Sequence, residues 1–135
     1  VATGAIAQGM LVADELALPY AYVRPKPKDH GMKNQIEGEL PAGSKVVVVE
    51  DLISTGGSSL KAVAALREAG FEVVGMVASY TYGFPEEAFR EANVKLVTLT
   101  DYEHVVEKAL ETGYIKESEV SMLHDWRKDP ANWRK

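Results

Sequence analysis

The feature that most constrains the fold is a run of four valines at positions 46–49, which leads into two acids and a stretch of small residues. A continuous β-branched run is typical of a parallel strand that is covered on both faces. The following loop ends in two glycines, and Ser58 or Ser59 is expected to cap a helix that Gly70 closes. This segment therefore predicts the order strand, loop, helix.

The same alternation continues along the chain. Residues 71–80 and 94–99 have the composition of buried strands, and residues 85–92 form a short helical pattern between them. Alternating strands and helices predict an α/β sheet with right-handed crossovers. The other predicted elements are a helix over 5–16, a strand over 19–24, a helix from its cap at Asp101 through Leu110, and a polar tail over 116–135.

Composition indicates one globular domain and excludes several classes of function. The 135 residues are 46% hydrophobic and 26% charged, which is enough for one core, so residues 1–135 are expected to form a single domain. The net charge of −5 argues against general binding of nucleic acid or anionic membranes. The chain has no cysteine and no apolar run of the roughly 20 residues that span a bilayer. We therefore expect a soluble, cytoplasmic protein.

Two acids and several hydroxyl residues follow the valine run, at the end of the strand where open α/β sheets bind ligands. Glu50 and Asp51 can accept hydrogen bonds from sugar hydroxyls or hold a hydrated Mg²⁺. Ser54, Thr55 and Ser58, with the glycines between them, can surround a phosphate at the start of a helix. The pattern predicts a ribose 5-phosphate site. The alternative is an ordinary loop with a helix cap.

The motif VVVVEDLISTGGS resembles the phosphoribosyl pyrophosphate (PRPP) signature of type I phosphoribosyltransferases. RPKPKDHG and NQIEG resemble the catalytic loop of the orotate phosphoribosyltransferase family, and VATGAIAQG resembles its pyrophosphate loop. The likeness extends through TYGF to DWRKDPANW and covers essentially the whole chain. It implies a three-layer α/β/α fold with a mostly parallel sheet.

The resemblance also implies a role for each residue of the PRPP signature. Glu50 and Asp51 contact the ribose hydroxyls, and Ser54 also touches orotate. The implied cofactor is Mg²⁺, held mainly by PRPP, with water available to join it to Glu50 or Asp51. The signature residues implied to bind PRPP beyond the acid pair are Leu52, Ile53, Ser54, Thr55, Gly56, Gly57 and Ser58.

A second implied group of residues supplies cations to the pyrophosphate leaving group. The resemblance places Arg24, Lys28 and His30 there, and these three with Asp51 are the implied catalytic residues. Cations that close over a leaving group stabilise the charge that grows on it. The less favoured alternative for RPKPKDHG is a solvated basic hairpin.

Further residues are implied near the diphosphate. Thr3 and Gly4 belong to the segment that resembles the pyrophosphate loop, where backbone N–H groups contact the ligand. The alternative for that segment is a simple turn from strand to helix. Lys26 and Lys33 are expected to strengthen the local positive field without a fixed contact.

The chain departs from the family pattern in two places. Pro25 follows Arg24 where some members carry a second basic residue, and SYTYGF lacks the arginine that contacts orotate in other members. The PRPP signature is shared by purine phosphoribosyltransferases, so that activity is an alternative. A regulator that senses PRPP without catalysis is another, although a sensor needs no closing cationic loop.

The resemblance also implies an N-terminally truncated domain. The fold normally has a strand before the pyrophosphate loop and a hood over the base, and the 135 residues contain neither. We expect an unfilled strand position between residues 19–24 and the valine strand, with exposed edges. The chain is then the C-terminal part of a longer parent enzyme, and by itself it is expected to bind PRPP poorly.

Together these features predict an orotate phosphoribosyltransferase. The implied reaction transfers ribose 5-phosphate from PRPP to orotate, giving orotidine 5′-monophosphate and pyrophosphate in pyrimidine synthesis. The family works as homodimers, so a homodimer is the expected assembly, with no nucleic acid and no membrane as partner.

Overall fold

The computed structural model describes residues 1–26 and 35–133, and it is an α/β structure as predicted. Residues 27–34 and 134–135 lie outside the described part. The strands are β1 (Ala21–Val23), β2 (Ile36–Gly38), β3 (Lys45–Ile53), β4 (Glu72–Thr81) and β5 (Leu96–Asp101). The helices are α1 (Ile6–Glu15), α2 (Gly57–Glu68), α3 (Glu87–Glu91), α4 (Tyr102–Glu111) and α5 (Glu117–Lys128), followed by a 3₁₀ turn at Pro130–Asn132.

Three strands form a parallel sheet in the order β3-β4-β5. Its register aligns Val48 with Met76 and Met76 with Leu96. A bulge lies early in β4, because Val46 pairs with Val73 while Val47 pairs with Gly75. The register brings the carboxyl ends of the three strands to one edge, and this edge positions the candidate site.

The first two strands form a separate antiparallel hairpin, in which Tyr22 pairs with Glu37. The sequence analysis predicted the first of these strands with wider limits, and it did not predict β2. A three-residue strand carries too little periodicity to stand out from a polar loop, and pairing with β1 defines it.

The core lies between the parallel sheet and α2. Met76 and Ala78 of β4 pack with residues of α2 and α3. The cluster also contains Val23, Val48, Ile53, Ala62, Val63, Leu66, Phe89 and Val94. Helix α1 also lies near β3, and its small residues Gly9 and Ala13 are buried. The face of the sheet opposite α2 is partly exposed, at Val47, Val77 and Val97.

An apolar cavity of about 490 Å³ separates the hairpin from the parallel sheet. Its walls include Ala21 and Val23 of β1 and residues 46–49 of β3. In the described chain these two strands belong to different sheets. The cavity lies where the sequence analysis expected an unfilled strand position, and Val47 is 53% exposed beside it.

Two boundaries differ from the sequence expectation around the acid pair. Strand β3 does not stop at the acids but continues to Ile53, because β4 supplies partners as far as Thr81. Helix α2 begins at Gly57 after Gly56, which has φ of +81°, and no side chain caps it within the described chain. Neither Ser58 nor Ser59 is the cap. The predicted cap of α4 is confirmed, since Asp101 accepts a hydrogen bond from the His104 N–H.

No helix among residues 1–26 and 35–133 is both long enough and apolar enough to cross a bilayer.

Candidate functional site

The two acids of β3 turn to opposite faces of the sheet, as neighbouring residues in a strand do. Glu50 faces α2, is only 5% exposed, and accepts a hydrogen bond of 2.7 Å from the Ser59 hydroxyl. Asp51 is half-buried and faces the segment at residues 1–4. The sequence analysis expected both carboxylates to face one ligand, but the side chains diverge.

Burial changes the acidity of Glu50. Loss of water raises the pKa of Glu50 above its usual range, while the hydrogen bond from Ser59 partly opposes this increase. The nearby Asp51 carboxylate adds to the increase. A buried carboxylate with one protein hydrogen bond has remaining lone pairs that a donor can satisfy. Glu50 therefore favours a hydrogen-bond donor or a cation placed beside it.

The segment at residues 1–4 lies between the carboxyl end of β1 and residues 49–51 of β3. The Ala2 N–H donates to Val23 O at 2.8 Å, and the Val1 amino group donates to Val49 O at 2.8 Å. Thr3 and Gly4 are exposed on this segment. Two parts of the site that the sequence suggested separately are thus neighbours in space.

Gly4 is the point of contact with the acid pair. A Cβ atom on Gly4 would overlap the Asp51 carboxylate, so only glycine allows this approach. The backbone of residues 3–4 and one carboxylate oxygen consequently lie side by side. Such a pairing can bind two parts of one ligand, an anion at the backbone N–H groups and a hydroxyl at the carboxylate.

The loop from Ser54 to the start of α2 presents hydroxyls and backbone. Ser54, Thr55 and Ser58 are exposed, whereas Gly56 is buried against the ring of Phe89. Because α2 has no side-chain cap in the described chain, its first N–H groups stay available to a ligand. The arrangement matches the positive end of a helix that binds a phosphate.

The predicted leaving-group residues are only partly described. Arg24 follows β1, and its guanidinium lies 3.4 Å from the Glu37 carboxylate on β2. Its backbone pairs with Gln35, through the Arg24 N–H and Gln35 O at 2.8 Å. Lys26 is exposed two residues further on. Lys28, His30 and Lys33 lie outside the described residues, so their roles remain predictions.

The turn after β4 borders the loop that runs from Ser54 to the start of α2. The Tyr82 N–H donates to Ile53 O at 3.1 Å, and the Gly83 N–H donates to the Thr81 hydroxyl at 3.0 Å. Arg127 of α5 donates to the carbonyl oxygens of Tyr82 and Gly83, at 2.8 and 2.6 Å. Arg127 was not predicted as a site residue, because the C-terminal tail was expected only to pack against the domain. No local sequence pattern relates residue 127 to residues 82 and 83.

Aromatic side chains pack behind this turn. The rings of Tyr82 and Trp126 lie 5.5 Å apart, and Tyr80 meets Tyr82 edge-on at 5.2 Å. Burial, and then the neighbouring Tyr82, raise the pKa of Tyr80 to about 12, so its hydroxyl stays protonated. We call Tyr80, Tyr82, Phe84, Tyr102 and Trp126 the aromatic cluster.

The acid pair is also the place where a divalent cation could be held. Among the described residues, no group of three or more His, Cys, Asp or Glu side chains has the arrangement of a metal site. The residues fit an Mg²⁺ ion that takes most of its ligands from a substrate and water, with Asp51 nearby.

Comparison with known proteins identifies the family. The phosphoribosyl transferase domain family matches residues 1–112. The chain is 70% identical over 135 residues to the orotate phosphoribosyltransferase of Bacteroides thetaiotaomicron, covering 98% of this chain and 64% of that protein. The crystal structure of orotate phosphoribosyltransferase from Aeropyrum pernix is similar, with TM-score 0.75 and 33% identity, over 86% of this chain and 64% of that one.

Among the similar crystal structures is one with PRPP bound. Orotate phosphoribosyltransferase from Mycobacterium tuberculosis in complex with PRPP matches with TM-score 0.53 and 29% identity, over 64% of this chain and 49% of that chain. The chain spans about 64% of the length of the first curated relatives that it matches. The matched domain covers most of the sequence and carries the acid pair and the hydroxyl loop, so the chain belongs to the phosphoribosyltransferase family.

Proposed function

We propose that the chain is the C-terminal, PRPP-binding part of an orotate phosphoribosyltransferase, and we call the longer protein the parent enzyme. The parent enzyme transfers ribose 5-phosphate from PRPP to N1 of orotate, releasing pyrophosphate, in de novo pyrimidine synthesis. The observation that carries this proposal is the contact of Gly4 with Asp51, beside a helix start that no side chain of the described residues caps. Identity of 70% to a curated orotate phosphoribosyltransferase supports the choice of base.

The proposed PRPP site divides into three parts. The loop amides and hydroxyls of residues 54–58 hold the 5-phosphate, because they lie at the positive end of α2. We assign both Glu50 and Asp51 to the ribose hydroxyls; Asp51 is the accessible carboxylate of the two, since Glu50 is 5% exposed and already accepts a hydrogen bond from Ser59. The backbone at Thr3 and Gly4 meets the pyrophosphate. The last residues of β3, Leu52 and Ile53, line the approach, and Ser54 also touches orotate.

The chemistry needs no covalent nucleophile. As the bond from C1 to the pyrophosphate oxygen breaks, negative charge grows on the leaving group, and fixed cations stabilise it. We assign this role to Arg24, Lys28 and His30. In the described part of the chain Arg24 already lies beside Glu37, so the diphosphate would replace a weak, partly exposed ion pair.

Mg²⁺ is the proposed cofactor. When bound, it neutralises phosphate charge on PRPP and helps the diphosphate to leave. The chain's own contribution is modest, since Asp51 is the available carboxylate and Glu50 is buried against Ser59. We therefore assign Asp51 to water-mediated contact with the ion or to the ribose.

The proposed assembly is a homodimer in the cytoplasm. The exposed apolar face of the sheet, which includes Val77 and Val97, supports an assembly larger than this chain.

The proposal is tested by assaying the parent enzyme beside the 135-residue chain. We expect orotidine 5′-monophosphate from orotate, PRPP and Mg²⁺ with the parent enzyme, and little or none with the isolated chain. Adenine, guanine and hypoxanthine serve as competing bases. Turnover of a purine in place of orotate would make the protein a purine phosphoribosyltransferase. PRPP binding without turnover of any base would make it a sensor.

A further inference from the structure

One guanidinium joins the C-terminal helix to the turn that follows β4. Arg127 Nε donates to Tyr82 O at 2.8 Å, and Arg127 Nη2 donates to Gly83 O at 2.6 Å. Two parallel donors on adjacent carbonyls use the planar fork of arginine, which lysine lacks. The guanidinium is also 3.5 Å from the Glu103 carboxylate, so its position is fixed from two sides.

The same turn is bonded to the end of β3. The Tyr82 N–H donates to Ile53 O at 3.1 Å, and that carbonyl belongs to the peptide leading into Ser54. Residue 82 is therefore held on both sides, by Arg127 at its carbonyl and by β3 at its N–H. A shift of Tyr82 must move the peptide that begins the hydroxyl loop.

The turn has little freedom to compensate. Gly83 has φ of +68°, its N–H donates to the Thr81 hydroxyl, and a Cβ atom there would lie 2.7 Å from Arg127 Nη2. Tyr82 packs on Trp126 of the same helix, with ring centroids 5.5 Å apart. Without the guanidinium, two adjacent carbonyls at the edge of the site lose their donors.

From this chain of contacts we propose that Arg127 is a positioning residue. Through Tyr82 and Ile53, it fixes the position of Ser54 relative to the bound base. The inference rests on the proposed function, because Ser54 is the residue assigned to orotate. Reacting groups must be placed to within a fraction of an ångström, so a small shift of this peptide affects use of the base. The 5-phosphate contacts at Gly57 and Ser58 are less affected, because these two residues belong to α2.

The test compares variants of the parent enzyme. Arg127→Met removes both donors. Lys128→Met is the matched control, with the same charge loss at the next position of α5, where Lys128 forms an exposed ion pair with Asp125. We expect Arg127→Met to raise the KM for orotate about tenfold with the KM for PRPP within about twofold, and Lys128→Met to change neither. A purely structural role would lower the active fraction, and with it kcat, without this split between the two KM values.

Arg127→Lys keeps the experiment decisive if the methionine variant does not fold. Lysine keeps the charge but places its donors on a single nitrogen without the planar fork, so we expect an intermediate rise in the KM for orotate. An unchanged KM for orotate in a folded Arg127 variant would overturn the inference, as would an equal rise in both KM values.

Failure of the proposed function leaves a different result. If the wild-type parent enzyme uses a purine and not orotate, the substrate proposal fails, and the KM for that purine then tests Arg127. If the wild-type parent enzyme uses no base, amide hydrogen exchange tests the positioning role of Arg127 instead. Arg127→Met should remove protection at the Tyr82 N–H and shift the Ser54 amide resonance, while Lys128→Met should not. Unchanged protection at Tyr82 would overturn the positioning role.

Discussion

Gly4 lies against the carboxylate of Asp51 so closely that a methyl group on its α-carbon would overlap a carboxylate oxygen. The two residues are 47 positions apart in sequence, and they join the loop before α1 to the carboxyl end of β3. Backbone and carboxylate meet here without a side chain between them. The proposed pyrophosphate-binding segment and the proposed ribose-binding carboxylate are therefore adjacent and form one site.

The first prediction concerns that contact. Gly4→Ala in the parent enzyme should weaken PRPP binding about tenfold or more, because overpacking of about 1–3 kcal/mol must be relieved by moving Asp51 or the loop. A PRPP titration with Mg²⁺ measures the effect. Asp51→Asn provides the control through a double-mutant cycle. If the loss acts through Asp51, Gly4→Ala should add little in the Asp51→Asn background, and full additivity would contradict this account.

The second prediction concerns the start of α2. Gly56 combines φ of +81° with close approach of the Phe89 ring, so Gly56→Ala should destabilise the chain by about 2–5 kcal/mol. Urea unfolding of the 135-residue chain measures the free energy. Gly70→Ala at the other end of the helix is the matched control, since its φ is +87° and nothing lies near its Cβ position. It should cost only about 1–2 kcal/mol. Equal losses would show that Phe89 plays no part.

The third prediction follows from the raised pKa of Glu50, which results mainly from burial. The folded chain binds the Glu50 proton more tightly than the unfolded chain does. The ionisation of Glu50 therefore lowers the free energy of unfolding as pH rises above the usual pKa of the group, 4.5. Glu50→Gln keeps an oxygen for the Ser59 hydroxyl and carries no charge. Its stability relative to wild type should therefore be greater at about pH 7.5 than at about pH 4.

Unfolding of both proteins in urea at the two pH values checks this result. The raised pKa of Glu50 would be contradicted if the stability of Glu50→Gln relative to wild type became smaller as pH rises. The same substitution should weaken PRPP binding, since an amide is a poorer acceptor for the ribose hydroxyls than a carboxylate.

The fourth prediction tests the leaving-group role of Lys28. Lys28→Ala in the parent enzyme should lower kcat on the order of 10²-fold while the Kd for PRPP changes far less, because charge on the diphosphate grows mainly in the transition state. Lys33→Ala, expected to have no fixed contact, is the control. Equal losses in kcat and affinity for Lys28→Ala would point to ground-state binding instead.

Much of the fold could be predicted because its strands are strongly patterned. The valine run and the stretch that became β4 are β-branched over several residues, and the cap at Asp101 was read correctly. The limits of β3 could not be read, because its last three residues belong to the strand only through pairing with β4. The short β2 depends in the same way on β1.

The site was predictable in its residue types more than in its geometry. Alternation along a strand already indicates that Glu50 and Asp51 face opposite ways, and that signal was available in the sequence. The burial of Glu50 against Ser59 depends on how α2 packs, which no local pattern fixes. The contact between Arg127 and Gly83 depends on the docking of α5 and has no sequence signal at all.

An amide NMR titration of the parent enzyme with PRPP and Mg²⁺ tests whether PRPP binds between the end of β3, the start of α2 and the loop before α1. We predict that the largest shifts fall on residues 54–58 at the start of α2 and on Asp51 and Gly4. Unchanged resonances at those positions, with shifts elsewhere such as the aromatic cluster, would contradict it.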